Sequence, residues 1–180
     1  AAGEYDIAYM NPYHYTVFSA QPGYRALARA KGERIKGILV VQKDSPIKDL
    51  SDLAGKTLAF PTPAAFAASL LVQAELRGRG IAFTPMVVKS HNSVYRSVAK
   101  GIFAAGGGVP RTFDLLDGTV RGDLRVLWET REFTTHAIAS RPGLDEQLRA
   151  RVWKAMRDMG ADLHGQELLK AIGFTGFDQA

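Results

Sequence analysis

Short apolar runs alternate with longer stretches in which apolar residues recur every three or four positions. Tyr5-Asp6-Ile7-Ala8-Tyr9-Met10 reads as a short strand, broken by Asn11-Pro12. A helix through Tyr15, Val17 and Phe18 follows and ends near Pro22-Gly23. Ile38-Leu39-Val40-Val41 is a continuous β-branched run of the kind found in a strand buried on both faces. Asp44-Ser45-Pro46-Ile47 caps a short helical turn that continues through Asp49 to Leu53 and stops at Gly55, and Lys56-Thr57-Leu58-Ala59-Phe60 is the next strand. A helix beginning at Pro63 carries Leu70, Leu71, Ala74 and Leu76 and ends at Gly78-Arg79-Gly80.

Further strands are expected at Met86-Val87-Val88 and Leu124-Arg125-Val126-Leu127-Trp128, with a helix after Ser90-His91-Asn92 that turns Val94, Tyr95 and Val98 inward. Gly106-Gly107-Gly108-Val109-Pro110 reads as a loop before a short helix. Leu144 to His164 reads as one amphipathic helix with Leu148, Val152, Trp153, Met156 and Met159 on its inner face. Strands separated by helices predict an α/β fold with a mainly parallel sheet. Residues 37–123 form a self-contained lobe. Residues 1–36 and 124–180 make a second, discontinuous lobe if Gly37–Gln42 and Leu124–Glu129 serve as crossover strands. That outer lobe carries few strands.

Composition narrows the class. With 46% hydrophobic and 23% charged residues the chain is that of an ordinary globular protein. No apolar run approaches the roughly 18 residues that span a bilayer, so no membrane insertion of the chain is expected. The absence of cysteine removes disulfides and thiolate metal sites. A formal charge of +5 raises the question of nucleic acid, but the cations are scattered among acids and no basic stripe carries interleaved aromatics. No nucleic-acid partner is expected. No nucleophile elbow, paired carboxylate motif, P-loop, dinucleotide fingerprint or metal-ligand spacing is present, so the sequence argues against an enzyme and calls for no cofactor or metal.

The most informative stretch runs from Phe60 to Ser69, where a buried strand turns directly into a helix. Thr62 is the expected N-cap and Pro63 the first helical residue. Small residues then leave the first amides uncovered at the positive end of the helix dipole, an arrangement suited to an anion. The competing reading is ordinary capping with solvent on the amides. His91, at the start of a helix directly after a strand, offers a donor whose protonated form a bound anion would favour. Tyr9, Tyr13 and Tyr15 cluster about Pro12; two of the three are expected to face a ligand, and Tyr9, which continues the strand alternation, is the candidate for the core.

Several of these segments resemble one family. Asp44-Ser45-Pro46-Ile47-Lys48-Asp49-Leu50-Ser51-Asp52-Leu53-Ala54-Gly55-Lys56-Thr57-Leu58-Ala59 is similar to the start of the second lobe in type II periplasmic solute-binding proteins. Asp6 to Tyr15 and Ser90-His91-Asn92-Ser93-Val94 resemble segments of the phosphonate, phosphate and phosphite branch, and Trp128 to His136 resembles its return to the first lobe. The resemblance implies two α/β lobes joined by two crossover strands, with the first lobe incomplete because the family's opening strand–helix–strand has no counterpart. It implies a small oxyanion held between the lobes by Tyr9, Tyr13, Tyr15, Thr62, Ala64, Ala65, Phe66, His91, Arg111, Thr135 and His136. It also implies delivery to the permease of an ABC importer and a periplasmic or extracytoplasmic location, with a lipid anchor compatible. A ligand-sensing domain of a signalling protein is the alternative, and an enzyme of the same fold is the remote one. Two departures stand out. The family's Ser-Thr-Ser-Gly clamp is replaced by Pro63-Ala64-Ala65-Phe66-Ala67-Ala68-Ser69, and an Asp usual in the third helix is Ala104. Both point to an anion other than phosphonate.

Overall fold

The computed structural model describes residues 4–180. In chain order it contains β1 (Ile7–Met10), α1 (Pro12–Ala20), β2 (Arg25–Ala30), β3 (Arg34–Ile35) and β4 (Ile38–Gln42). A 3-10 turn at Leu50–Leu53 leads to β5 (Thr57–Phe60), and a π-helix at Phe66–Leu71 continues as α2 (Val72–Gly78). Then come β6 (Thr84–Val87), α3 (His91–Ala99), β7 (Ala105–Gly108), α4 (Pro110–Asp114) and α5 (Gly118–Gly122). The chain finishes with β8 (Leu124–Glu129), β9 (Phe133–Thr134), β10 (Ala137–Ser140), α6 (Glu146–Asp158), α7 (Leu163–Ala171) and β11 (Phe177–Gln179). Two compact units result: residues up to Arg34 together with Thr134–Ala180, and Ile35–Phe133.

The second unit is a five-stranded sheet in the order β6-β5-β7-β4-β8. Only β6, β5 and β7 are parallel, and β4 runs antiparallel to both β7 and β8, which corrects the expectation of a mainly parallel sheet. The reason is connectivity. Ile38 pairs with Gly108 and with Glu129, so the chain enters through β4 and leaves through β8 at the carboxyl edge of the parallel trio. Both strands expected as crossovers therefore belong to this sheet. The chain passes between the units at Arg34–Ile35 and Phe133–Thr134, where β3 and β9 pair as a two-stranded ribbon.

Helices cover both faces of the sheet. Leu39, Val41, Leu58 and Phe60 pack with Val72 and Leu76 on one side. Ile38, Val40 and Ala59 pack with Val94, Tyr95, Val98 and Phe113 on the other. Between them lies the segment read from sequence as a loop. Ala105-Gly106-Gly107-Gly108 is in fact the middle strand, fully buried. A Cβ on Gly107 would stand 1.9 Å from the Ala68 carbonyl oxygen of the π-helix. On the opposite face, one on Gly106 would stand 2.3 Å from Val94 and one on Gly108 2.1 Å from the Tyr95 hydroxyl. The glycines alternate across the pleat, so both helices reach the sheet backbone.

The first unit is a four-stranded antiparallel sheet, β1-β10-β2-β11, where the sequence had suggested few strands. β2 reads Arg-Ala-Leu-Ala-Arg-Ala, a composition that favours helix in isolation. Pairing with β10 on one side and β11 on the other overrides that preference, and buries Leu27, Ala28 and Ala30. The expected single C-terminal helix is broken. A 3-10 turn at Met159–Ala161 ends α6, and Asp162 caps α7 by accepting from the Gly165 N–H at 2.7 Å. A Cβ on Gly165 would stand 2.2 Å from the Met159 carbonyl oxygen, so α7 folds back tightly on that turn. None of the expected inner residues of α6 is fully buried.

Gly107→Ala should cost about 1–3 kcal/mol, the range for overpacking a filled core. Gly118→Ala, at a site with open space around its Cα, should change stability little. Urea denaturation of the two variants checks this, and matching midpoints would show that the glycine strand is not a packing requirement.

Candidate functional site

In the second unit, β6, β5 and β7 are adjacent and parallel, so the loops that follow them emerge at one edge of the sheet. That edge carries the residues singled out from sequence: Thr62 to Phe66 after β5, His91 after β6 and Arg111 after β7. In open α/β sheets the carboxyl ends of strands are where ligands bind. Gly37 and Thr130 close the same edge, with the Thr130 N–H donating to the Gly37 carbonyl at 2.9 Å and the Gly37 N–H to the Thr130 hydroxyl at 3.0 Å.

The turn after β5 differs from its sequence reading in one respect. Thr62 is not an N-cap, and the helix does not begin at Pro63. Thr62 to Ala65 form a turn closed by the Ala65 N–H donating to the Thr62 carbonyl at 3.3 Å, with Pro63 at the position where proline's fixed φ suits a turn. The π-helix starts at Phe66 without a side-chain cap. Ser69 braces the turn from inside, its hydroxyl donating to the Thr62 carbonyl at 2.6 Å. The Ala65 carbonyl accepts from both Ser69 and Leu70, so the N–H groups of Phe66, Ala67 and Ala68 precede the first acceptor that the helix itself supplies. The Phe66 ring stands edge-on to Phe133 at 5.5 Å.

His91 opens α3 behind Ser90, whose hydroxyl accepts from the Ser93 N–H at 3.1 Å. Lys89, just upstream, has a φ of 72°, a left-handed conformation that costs a non-glycine residue roughly 1–2 kcal/mol. The His91 ring is half-buried, and its Nδ1 is enclosed without a hydrogen-bond partner among the described residues. Desolvation holds its pKa below the ordinary histidine value, so the ring is neutral near pH 7. A buried ring nitrogen with no partner needs a water, an ion or a ligand group to satisfy it. Tyr95, one turn on, ties this helix to the end of β7: its hydroxyl accepts from the Val109 N–H and meets Thr112 Oγ1 at 2.8 Å. Arg111 is exposed in the first turn of α4.

In the first unit the ends of β1 and β2 and the start of β10 share an edge, since Met10 and Arg29 both pair with Ala137. Tyr9 lies there, 58% exposed and stacked on His136 with ring centroids 5.0 Å apart. Burial and the neighbouring His14 lower the His136 pKa. Tyr13 is exposed on α1 beside His14, and Thr135 is half-buried before β10. Tyr15, not Tyr9, is the tyrosine that enters the core. It packs near Met10 and Tyr24, and its hydroxyl accepts from the Ala26 N–H at 3.1 Å. The sequence reading missed Lys89, whose strain has no signature in composition, and the Tyr95–Val109 tie.

Among the described residues no group of three or more His, Asp or Glu forms a metal-ligand set, and no helix is long and apolar enough to cross a membrane. A search of curated protein sequences finds no match. Among solved structures, the chain is similar to XAC2383 from Xanthomonas citri bound to chloride, with a TM-score of 0.88 and 22% identity over 97% of this chain and 71% of that one. It is also similar to PhnD1 from Prochlorococcus marinus in complex with methylphosphonate, with a TM-score of 0.82 and 16% identity over 97% and 72%. A third likeness is the binding-protein component of an ABC phosphonate transporter from Pseudomonas aeruginosa, with a TM-score of 0.81 and 15% identity over 97% and 63%. These likenesses establish the fold, that of type II periplasmic binding proteins. The family is one of substrate-binding proteins, not enzymes, and the Pseudomonas aeruginosa neighbour is a binding-protein component of a transporter. The model of the family described as "ABC transporter, phosphonate, periplasmic substrate-binding protein" matches residues 1–180, and the chain belongs to that family.

Proposed function

We propose that this chain captures a small oxyanion for an ABC importer, holding it on the amide turn at Thr62 to Phe66 and on His91. The observation that carries the reading is the convergence of those two elements, with Arg111, at the carboxyl edge of three adjacent parallel strands. A charge-assisted hydrogen bond contributes about 1.5–3 kcal/mol, so a few of them approach the roughly 8 kcal/mol of micromolar affinity. The unpartnered His91 Nδ1 supports a ligand at this edge. The anions bound by the structural neighbours, methylphosphonate in one and chloride in another, support the charge class.

The clamp offers main-chain donors and an aromatic ring in place of side-chain hydroxyls. The cargo in this reading is therefore a tetrahedral oxyanion other than the family's namesake. Within the first unit, Tyr9 and His136 stack to offer a flat face and a ring N–H to a small ligand, and Tyr13 and Thr135 are candidate contacts of that unit. Arg111 adds positive potential. Release to the permease takes place outside the cytoplasm, as the family implies.

Thermal-shift measurements with phosphite, phosphate and sulfate should find an oxyanion that raises the melting temperature more than methylphosphonate does, and His91→Ala should remove most of the rise. Stabilisation by neutral or cationic solutes and by no oxyanion would sink the reading.

The pH dependence has a definite sign. The folded-state pKa values of His91 and His136 lie below the unfolded value. The unfolded chain therefore binds more protons, and unliganded stability should fall as pH drops below about 6.5. Bound anion favours the imidazolium, so sulfate, whose charge is constant in this range, should bind more tightly as pH falls from 8 to 6. The gain cannot exceed about tenfold per pH unit for one proton. Calorimetric titration should show this slope in the native chain and lose it in His91→Gln.

A further inference from the structure

On the flank of α2 lies a groove that the oxyanion site does not use. The sequence pattern placed Leu71 and Ala74 in one continuous helix from Pro63. The π-turn takes an extra residue, so the stripe that is buried is instead Ala67, Ala68, Val72 and Leu76. Leu71 and Ala74 are left facing Trp128 and Phe133 across a cavity of 670 Å³. That volume is within the range of about 300–1,000 Å³ typical of small-molecule sites. The cavity adjoins the amide turn through Phe133, whose ring meets Phe66, but is lined by none of the residues from Thr62 to Phe66 and not by His91.

The groove has an apolar lining and a positive rim. Trp128 is half-buried and fixed against the core. The far wall is held in place by the two hydrogen bonds between Thr130 and Gly37. Two guanidinium groups stand at the rim. Arg79 is joined to Glu75 through Nε at 2.7 Å, an arrangement that leaves its terminal NH₂ groups outside the pair. Arg131 lies over the Phe133 ring, 4.2 Å from its centroid, and has no ion pair with a carboxylate among the described residues. Two cations and one carboxylate leave a single positive charge beside an aromatic, apolar slot. An inorganic oxyanion would leave that slot empty, and a neutral ring would leave Arg131 unmatched.

We propose that this groove is a second ligand site, for an aromatic monocarboxylate whose ring lies against Trp128 and Ala74 and whose carboxylate meets Arg131. The ring gains contact with an indole and a phenyl face, and the guanidinium offers the planar fork that suits a carboxylate. The site goes beyond the oxyanion reading and stands whether or not that reading holds.

Phenylacetate is a suitable probe. Calorimetric titration of the native chain should show saturable binding. In a Trp153→Phe background Trp128 is the sole tryptophan of the two in the chain, and its emission should change with the same affinity. Phenylacetamide and the Arg131→Ala variant should each bind about tenfold more weakly or worse, as expected for loss of one charge-assisted pair. Ala74→Phe, at an exposed position, should fill the slot and abolish binding. His91→Ala should leave phenylacetate binding unchanged, which separates this test from that of the oxyanion site. No saturable binding, equal binding of phenylacetamide, or unaltered affinity in Ala74→Phe would each overturn the proposal.

Discussion

Everything at the carboxyl edge of the second unit depends on the backbone contact made by Gly106, Gly107 and Gly108. A middle strand without side chains lets the π-helix rest its Ala67–Ala68 backbone on one face and α3 its Val94 and Tyr95 on the other. Any Cβ here would push one helix outward, and with it the amide turn or His91. Gly37 makes the same contact at the start of β4, where a Cβ would stand 2.1 Å from the Ala67 carbonyl oxygen. The helix that follows the Thr62–Ala65 turn is thus located by two glycine contacts from adjacent strands, a tighter constraint than side-chain packing gives.

Within the turn itself only Thr62 carries a side-chain hydroxyl. Ser69 looks inward and satisfies the Thr62 carbonyl, so it is spent on the shape of the turn and not on a ligand. In the proposed reading, recognition rests mainly on main-chain N–H and the field of the helix, both insensitive to side-chain identity. In that reading, selectivity among anions falls to His91 and Phe66. The enclosed Nδ1 of His91 makes the imidazole a group whose charge state a bound ligand can change.

Much of the fold was legible in the sequence because local signals and tertiary structure agree there. The Ile38–Val41 run, the Ser90 cap and the inward Val94, Tyr95 and Val98 are examples. The errors share a physical cause. Glycine carries no hydrophobic signal, so the buried strand β7 read as a loop. The alanine and arginine of β2 favour helix until β10 and β11 pair with them. The π-turn shifts the apolar stripe by a residue, which hid the groove beside Leu71, and the Thr62–Ala65 turn delays the helix start from Pro63 to Phe66. For the candidate site, the sequence named the positions at each strand end. It could not say that Tyr15 spends its hydroxyl on Ala26, nor that Lys89 is strained.

The route of the chain through β4 and β8 has a consequence for the order of folding. The first unit is assembled from two segments far apart in sequence, and Ile7 must find Ser140 to pair β1 with β10. Closing a disordered loop of more than a hundred residues is slow and entropically unfavourable. Once β4 and β8 have paired, however, Gly37 and Thr130 are clasped together, and the intervening chain no longer counts as loop. The inserted unit thereby acts as an intramolecular template, and its contacts are a precondition for rapid completion of the discontinuous one.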